Sequence, residues 1–106
     1  MGSIGKILGQ ANPGAILTAL YTTPNGVITT LSVKVCNTNG FIETFRISVA
    51  LAGAVDSLKQ YLIYDKTIAA NESDEISGVY LKSGDVVRVY ASDAAVVFSA
   101  IGVESN

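Results

Sequence analysis

At 106 residues the chain has the length of one domain, enough to bury roughly 60 to 70% of its unfolded surface and hold a core without crosslinks. Seven Lys and Arg against nine Asp and Glu, no histidine and one cysteine leave no basic footprint for nucleic acid or anionic lipid, remove the commonest general base and metal ligand, and exclude an internal disulfide. Charged residues make up only 15% of the chain and apolar types 49%, where ordinary soluble domains carry about 25% charge, so the surface is sparsely ionised.

The chain in order reads as short strands between turn signals. Residues 1–10 place Ile4, Ile7 and Leu8 among glycines; they suit a first strand or an arm reaching a neighbouring subunit equally well, ahead of a single domain over residues 11–106. They lack the basic start and long apolar stretch of a secretion signal. Asn12, Pro13 and Gly14 turn the chain into a strand from Ala15 to Thr22, and Thr23 to Gly26 turn it again. The organising stretch is Val27 to Leu51. In its first run Val27, Thr29, Leu31, Val33 and Val35 share one face of a pleated strand; in its second, Phe45, Ile47, Val49 and Leu51 do. With Asn37, Thr38, Asn39 and Gly40 between them, the two runs read as a hairpin with one apolar side.

Beyond it, Leu51, Val55, Leu58 and Leu62 have the spacing of one helix face, but Gly53 and the small residues beside it favour a connection with at most one helical turn from Asp56. Strand character returns from Tyr61 to about Ile68, from Ile76 to Leu81, from Val86 to Ala91 and from Ala95 to Val103, with turns at Asn71 to Asp74, Lys82 to Asp85 and Ser92 to Ala94. About seven or eight short strands with no room for a crossover helix predict an all-β fold, a two-sheet antiparallel sandwich of jelly-roll type. Its expected core is Leu31, Val33, Val35, Phe45, Ile47, Val49, Ile63, Val87, Val89, Phe98 and Ile101. Ile16 with Leu17, Leu62 with Ile63, Val86 with Val87 and Val96 with Val97 put apolar groups on both faces of their strands, which a free-standing sandwich avoids. Contacts between subunits account for them, and Ile16, Leu17, Tyr21, Val86, Tyr90, Val97 and Val103 are the expected contact residues. No apolar run reaches the roughly 20 residues of a membrane span, so protein rather than lipid is the expected cover.

Chemistry is thinly represented. Cys36 at a strand end, with no histidine to activate it, reads as a small apolar residue before it reads as a reactive thiol. Glu72, Asp74 and Glu75, together with Asp85 or Asp93, offer oxygens for a hard cation but lack the ordered spacing of a calcium loop, and a solvated bend explains them better. Tyr61 and Tyr64 beside Asp65 and Lys66 have the residue types of a sugar-binding surface, although tyrosine is equally a strand and interface residue. No catalytic, cofactor-binding or metal residues are assigned, and no cofactor is expected.

Several segments together resemble a group of small structural proteins of tailed bacteriophages: Leu20-Tyr21-Thr22-Thr23-Pro24, Val35-Cys36-Asn37, Thr44-Phe45-Arg46-Ile47-Ser48-Val49, Lys59-Gln60-Tyr61-Leu62 with Tyr64-Asp65, Ile68-Ala69-Ala70-Asn71, and Gly84-Asp85-Val86-Val87-Arg88-Val89-Tyr90-Ala91. The resemblance runs from about Leu8 to Glu104. It implies a β-sandwich present in many virion copies, associated with tail fibre or baseplate or decorating the capsid as a cement protein, and transfers no site residues. The expected function is homo-oligomeric assembly, as a trimer or ring, with other virion proteins as partners; a host-glycan-binding tip protein is the competing reading and an enzyme is not expected. The expected location is the virion, after synthesis in a reducing bacterial cytoplasm.

Overall fold

Alternating burial along each apolar run decides the architecture. The computed structural model describes residues 5–106, and in it the run Ile28–Asn37 buries Thr29, Leu31, Val33, Val35 and Asn37 while its other residues reach the surface. Among the described residues there are eight strands: β1 (Gly5–Ala11), β2 (Thr18–Thr22), β3 (Ile28–Asn37), β4 (Glu43–Ala50), β5 (Tyr61–Ile68), β6 (Ser73–Leu81), β7 (Val86–Ala91) and β8 (Val96–Ser105). They form two sheets of four, in the orders β1-β8-β3-β6 and β2-β7-β4-β5, and every neighbouring pair is antiparallel. Pairing is nested: β1 with β8, β2 with β7, β3 with β6, β4 with β5. A long hairpin folded over on itself gives this order, which is the jelly roll. Residues 5–11 are thus an edge strand of the sandwich, and residues 1–4 of the expected strand or arm lie outside the described residues.

The Val27 to Leu51 stretch is not a hairpin. Its two runs are β3 and β4, which lie in different sheets and meet face to face across the core. Both arrangements bury the same apolar faces, so alternation does not distinguish them; Asn37 does. It is fully buried at the corner, its Nδ2 donating to the carbonyls of Phe41 at 2.8 Å, Ile68 at 3.1 Å and Ala69 at 3.2 Å, while its Oδ1 accepts from the Asn39 amide. Those carbonyls belong to the β3–β4 connection and to the end of β5 with the residue after it, so one amide pins both places where the chain changes sheet.

Of the expected core, Leu31, Val33, Val35, Phe45, Ile47, Val87, Val89 and Phe98 are buried; Val49 and Ile63 are half-buried at its margin. Ile101 is not in it, because Val96, Phe98 and Ala100 take the inward positions of β8 and period two turns Ile101 outward. The helical spacing of Leu51, Val55, Leu58 and Leu62 is realised only as two single 3₁₀ turns, Leu51–Gly53 and Leu58–Gln60.

Regularity is confined to the sheet centres. The β3–β8 and β4–β7 pairs run in unbroken register. Every register shift places the extra residue on an edge strand: Leu8 in β1, Leu20 in β2, one residue between Ile76 and Val79 in β6, and two separate residues in β5. Bulged edges are poor templates for adding a further strand, so the fold disfavours growth by sheet extension.

A polar knot ties β1, β2, β3 and β8 together. The Tyr21 hydroxyl donates to Glu104 Oε2 at 2.5 Å, which leaves Thr29 as the donor in its 2.8 Å bond to Tyr21, and Lys6 Nζ lies 3.4 Å from Glu104. Burial, then Glu104, pushes the Tyr21 phenol from 10.0 up to about 12; the Tyr21 bond, then Lys6, holds Glu104 below its ordinary 4.5. A raised folded value means stability that is complete below pH 10 and lost as pH climbs toward 12; a lowered one means stability present above 4.5 and lost on acidification. Denaturant midpoints measured across pH should fall at both ends, and Tyr21→Phe should reduce both falls, leaving on the alkaline side the share of Tyr61, whose phenol is also raised.

Candidate functional site

The two flanks of the sandwich are unlike. On one, β1 and β2 close backbone to backbone: a Cβ added at Gly9 would lie 2.2 Å from the Leu20 carbonyl oxygen. On the other, β5 and β6 are bridged at one end by Lys66 and Asp74, whose Nζ and Oδ2 are 2.6 Å apart. Toward the other end of the strands the flank opens as an apolar groove lined by Val49, Leu62, Ile76, Val79 and Tyr80. A second apolar recess, lined by Leu51, Ala54, Lys59 and Gln60, also borders Val49.

The groove continues into the connection at residues 51–60. Arg88 donates to the carbonyls of Ala54 at 2.9 Å and Gly53 at 3.3 Å, and Asp85 accepts from the Ala52 amide at 2.9 Å, holding this segment over the outer face of the second sheet. The segment covers that face but turns its own apolar side chains to water. Val55 is 87% exposed, Leu58 78% and Leu51 69%, and Tyr80 beside the groove is 76% exposed. Desolvating side chains of this size against a partner is worth about 1.5 to 3 kcal/mol each when complete.

A second apolar strip lies elsewhere, on the outer face of the first sheet. Val97, Ile101 and Val103 share the outward face of β8, with Ser99 between the first two, and Ile7 pairs beside Ile101. The strip runs along β8 and the groove opens between β5 and β6, with Tyr80 at the groove's border on the outer face of the first sheet, in one row with Thr30 and Val103.

The expected contact residues scatter over these surfaces. Val97 and Val103 belong to the β8 strip, and Ile16, 72% exposed, stands with half-buried Leu17 ahead of β2. Tyr21 and Val86 are corrections, at 8% and 9% exposure. Tyr21 is consumed by its bonds to Thr29 and Glu104; Val86 does point outward from the second sheet, but Gly53 of the overlying segment sits on it. Tyr90 is half-buried under the Arg46 guanidinium. Sequence reasoning missed Val55, Leu58 and Tyr80 as exposed groups. The only available signal was the helix-like spacing of Leu51, Val55, Leu58 and Leu62, which proved to mark an apolar exposed segment rather than a buried helix face.

The remaining polar candidates separate. Among the described residues no three His, Cys, Asp or Glu side chains converge as a metal site. Asp74 pairs with Lys66, Asp85 accepts from the Ala52 and Lys82 amides, and Asp93 accepts from the Ala95 amide. Cys36 is half-buried on the outer side of β3, opposite Val97.

One polar group does assemble, on the outer face of the second sheet. Arg46 of β4 stands opposite Tyr90 of β7, and the bulge in β5 sets both Tyr64 and Asp65 against it from the other side. Its guanidinium carbon is 4.3 Å from the Tyr64 ring centroid and 4.4 Å from that of Tyr90. Arg46 also grips Asp65 with two bonds, Nε to Oδ1 at 2.6 Å and Nη2 to Oδ2 at 3.2 Å. Tyr61 packs edge-on against Tyr64, ring centroids 5.0 Å apart. The paired guanidinium holds the Asp65 carboxyl below its usual range, while burial and then Asp56 hold the Tyr61 phenol above its own. Comparison with protein-family models, with curated proteins and with solved structures finds no match to this chain.

Proposed function

We propose that the chain is a structural protein of a bacteriophage virion, a homo-oligomeric sandwich block of the tail that works by protein–protein assembly and carries out no catalysis. The observation behind this reading is the pair of non-equivalent apolar surfaces left over once the core is filled: the β5–β6 groove with residues 51–60, and the β8 strip. A stable specific interface hides roughly 800 Å² on each partner, with an apolar centre depleted in charge. The 15% charged content of the chain suits such packing. Placement in a virion rests on the resemblance of the strand and turn segments; the jelly roll supports it in a general way, as an architecture used by viral capsid and lectin domains alike.

Two unlike surfaces on one protomer favour head-to-tail contact, in which the groove of one copy takes the β8 strip of the next and a closed rotation makes a ring. Side chains, not edge strands, carry that contact, because the edges are bulged. The test uses two charged variants, Leu62→Glu with Tyr80→Glu in the groove and Val97→Glu with Val103→Glu on the strip. In sedimentation or multi-angle light scattering the wild type should be a closed oligomer and each variant alone a monomer. Mixing the two should restore one contact and give a heterodimer. A wild type that stays monomeric at high concentration removes the assembly reading; variants that fail to complement when mixed remove the head-to-tail arrangement.

A further inference from the structure

The Arg46 cluster borders residues 51–60 through Tyr61 and Asp56 but uses none of the side chains that line the β5–β6 groove or the β8 strip, and it is built at some expense. Asp65 is a non-glycine residue held at a φ of 52°, a left-handed conformation that Asp tolerates better than most residues but still at a cost. The strain belongs to a bulge in which Tyr64 and Asp65 together face Arg46. A regular strand would have sent one of them to the opposite side. The result is a half-exposed tyrosine ring directly beside a half-exposed carboxylate, with neither free to swing away.

We infer that this cluster is a binding site for a neutral pyranose sugar, in which the face of Tyr64 turned away from Arg46 stacks on the C–H face of the ring while Asp65 bonds its hydroxyls. The carboxylate supplies acceptors: the bonds from Arg46 use one lone pair on each oxygen, and a carboxylate has about four such positions. Arg46, stacked on both Tyr64 and Tyr90, positions that carboxylate through its two bonds, forming a fixed ion pair. A sugar hydroxyl donates to such a fixed carboxylate. Such charge-assisted bonds are about twice as strong as neutral ones. The pair has no net charge, and Lys66, the next cation along β5, is turned across the flank to Asp74. Nothing in the cluster therefore favours an anionic ligand. Tyr and Arg are also the residues of protein contact centres, but here the apolar surface that such a contact would bury lies in the groove and on the β8 strip.

The test is saturation-transfer NMR on the full chain with glucose, galactose, mannose and N-acetylglucosamine, and with glucuronate as the anionic control. At least one neutral sugar should show transfer at millimolar concentration, strongest at the ring C–H protons that would lie on Tyr64. Tyr64→Ala and Asp65→Asn should each weaken it by about tenfold or more, Asn keeping the tolerance for positive φ. Leu62→Glu with Tyr80→Glu should leave binding in place whatever it does to the assembly. Absence of transfer from every neutral sugar, or transfer from glucuronate alone, overturns the proposal. So does a fall in oligomer mass caused by Tyr64→Ala, since the cluster would then be a protein contact.

Discussion

Gly102→Ala should destabilise the fold by about 3 kcal/mol, at the upper end of what overpacking costs. Gly102 lies on β8 opposite Leu31 of β3, in the unbroken central pair of the first sheet. A Cβ there would stand 2.2 Å from the Thr30 carbonyl oxygen and 2.7 Å from both the Cα and the Cβ of Leu31. Two of those three atoms are backbone, in a strand paired on both sides, so the strain is relieved only by prising β3 from β8. Gly40→Ala is the matched control, because nothing lies within 4 Å of its added carbon. Urea denaturation should separate the two clearly. Equal midpoints would mean that the two strands stand farther apart at Gly102 than this packing requires.

Phe45→Ala should cost about 3 to 5 kcal/mol, the range for deleting a large aromatic from a core. Phe45 has no exposed surface and meets Phe98 edge to face, ring centroids 6.1 Å apart. It belongs to β4 and Phe98 to β8, so this contact joins the two sheets. The cavity left by Ala would be walled by paired strands that cannot collapse inward. Phe41→Ala, four residues earlier, should leave protomer stability within about 0.5 kcal/mol of wild type, since Phe41 is 73% exposed. The two phenylalanines differ only in where the fold puts them. Thermal or urea unfolding of both variants, at a concentration where assembly does not contribute, checks the contrast.

Half of that contrast was legible before the fold was known. Phe45 alternates with Ile47 and Val49, so period two assigns it to a buried face, whereas Phe41 has the same parity and only the fold shows it outside the strand and exposed. The same reasoning located most strands and most of the core. It failed at Ile101, where two-residue alternation from Phe98 already pointed outward, and at Tyr21 and Val86, whose cover comes from Glu104 and from residues 51–60. It also failed at the β3–β4 corner, where a polar turn fits a hairpin and a change of sheet equally well until Asn37 is seen holding the distant carbonyls of Ile68 and Ala69.

The candidate surfaces were less legible still. Tyr61, Tyr64 and Asp65 stood out as residue types, but Arg46 and Tyr90 join them only because β4 lies between β5 and β7, and because β5 is bulged at that row. Lys66 had been grouped with them by adjacency and is instead drawn to Asp74 across the flank. The open groove is a property of two edges that fail to meet, which no single strand records.

By itself the sequence determined that this chain is an all-β sandwich with more apolar surface than one core uses, because side-chain alternation and turn chemistry are local and can be read a few residues at a time. Only the tertiary structure decided which strands are neighbours, which outward residues are covered by the chain's own connections, and which side chains from three strands meet around Arg46. Strand pairing joins residues far apart in the chain, and a single bulge reverses which of them face one another.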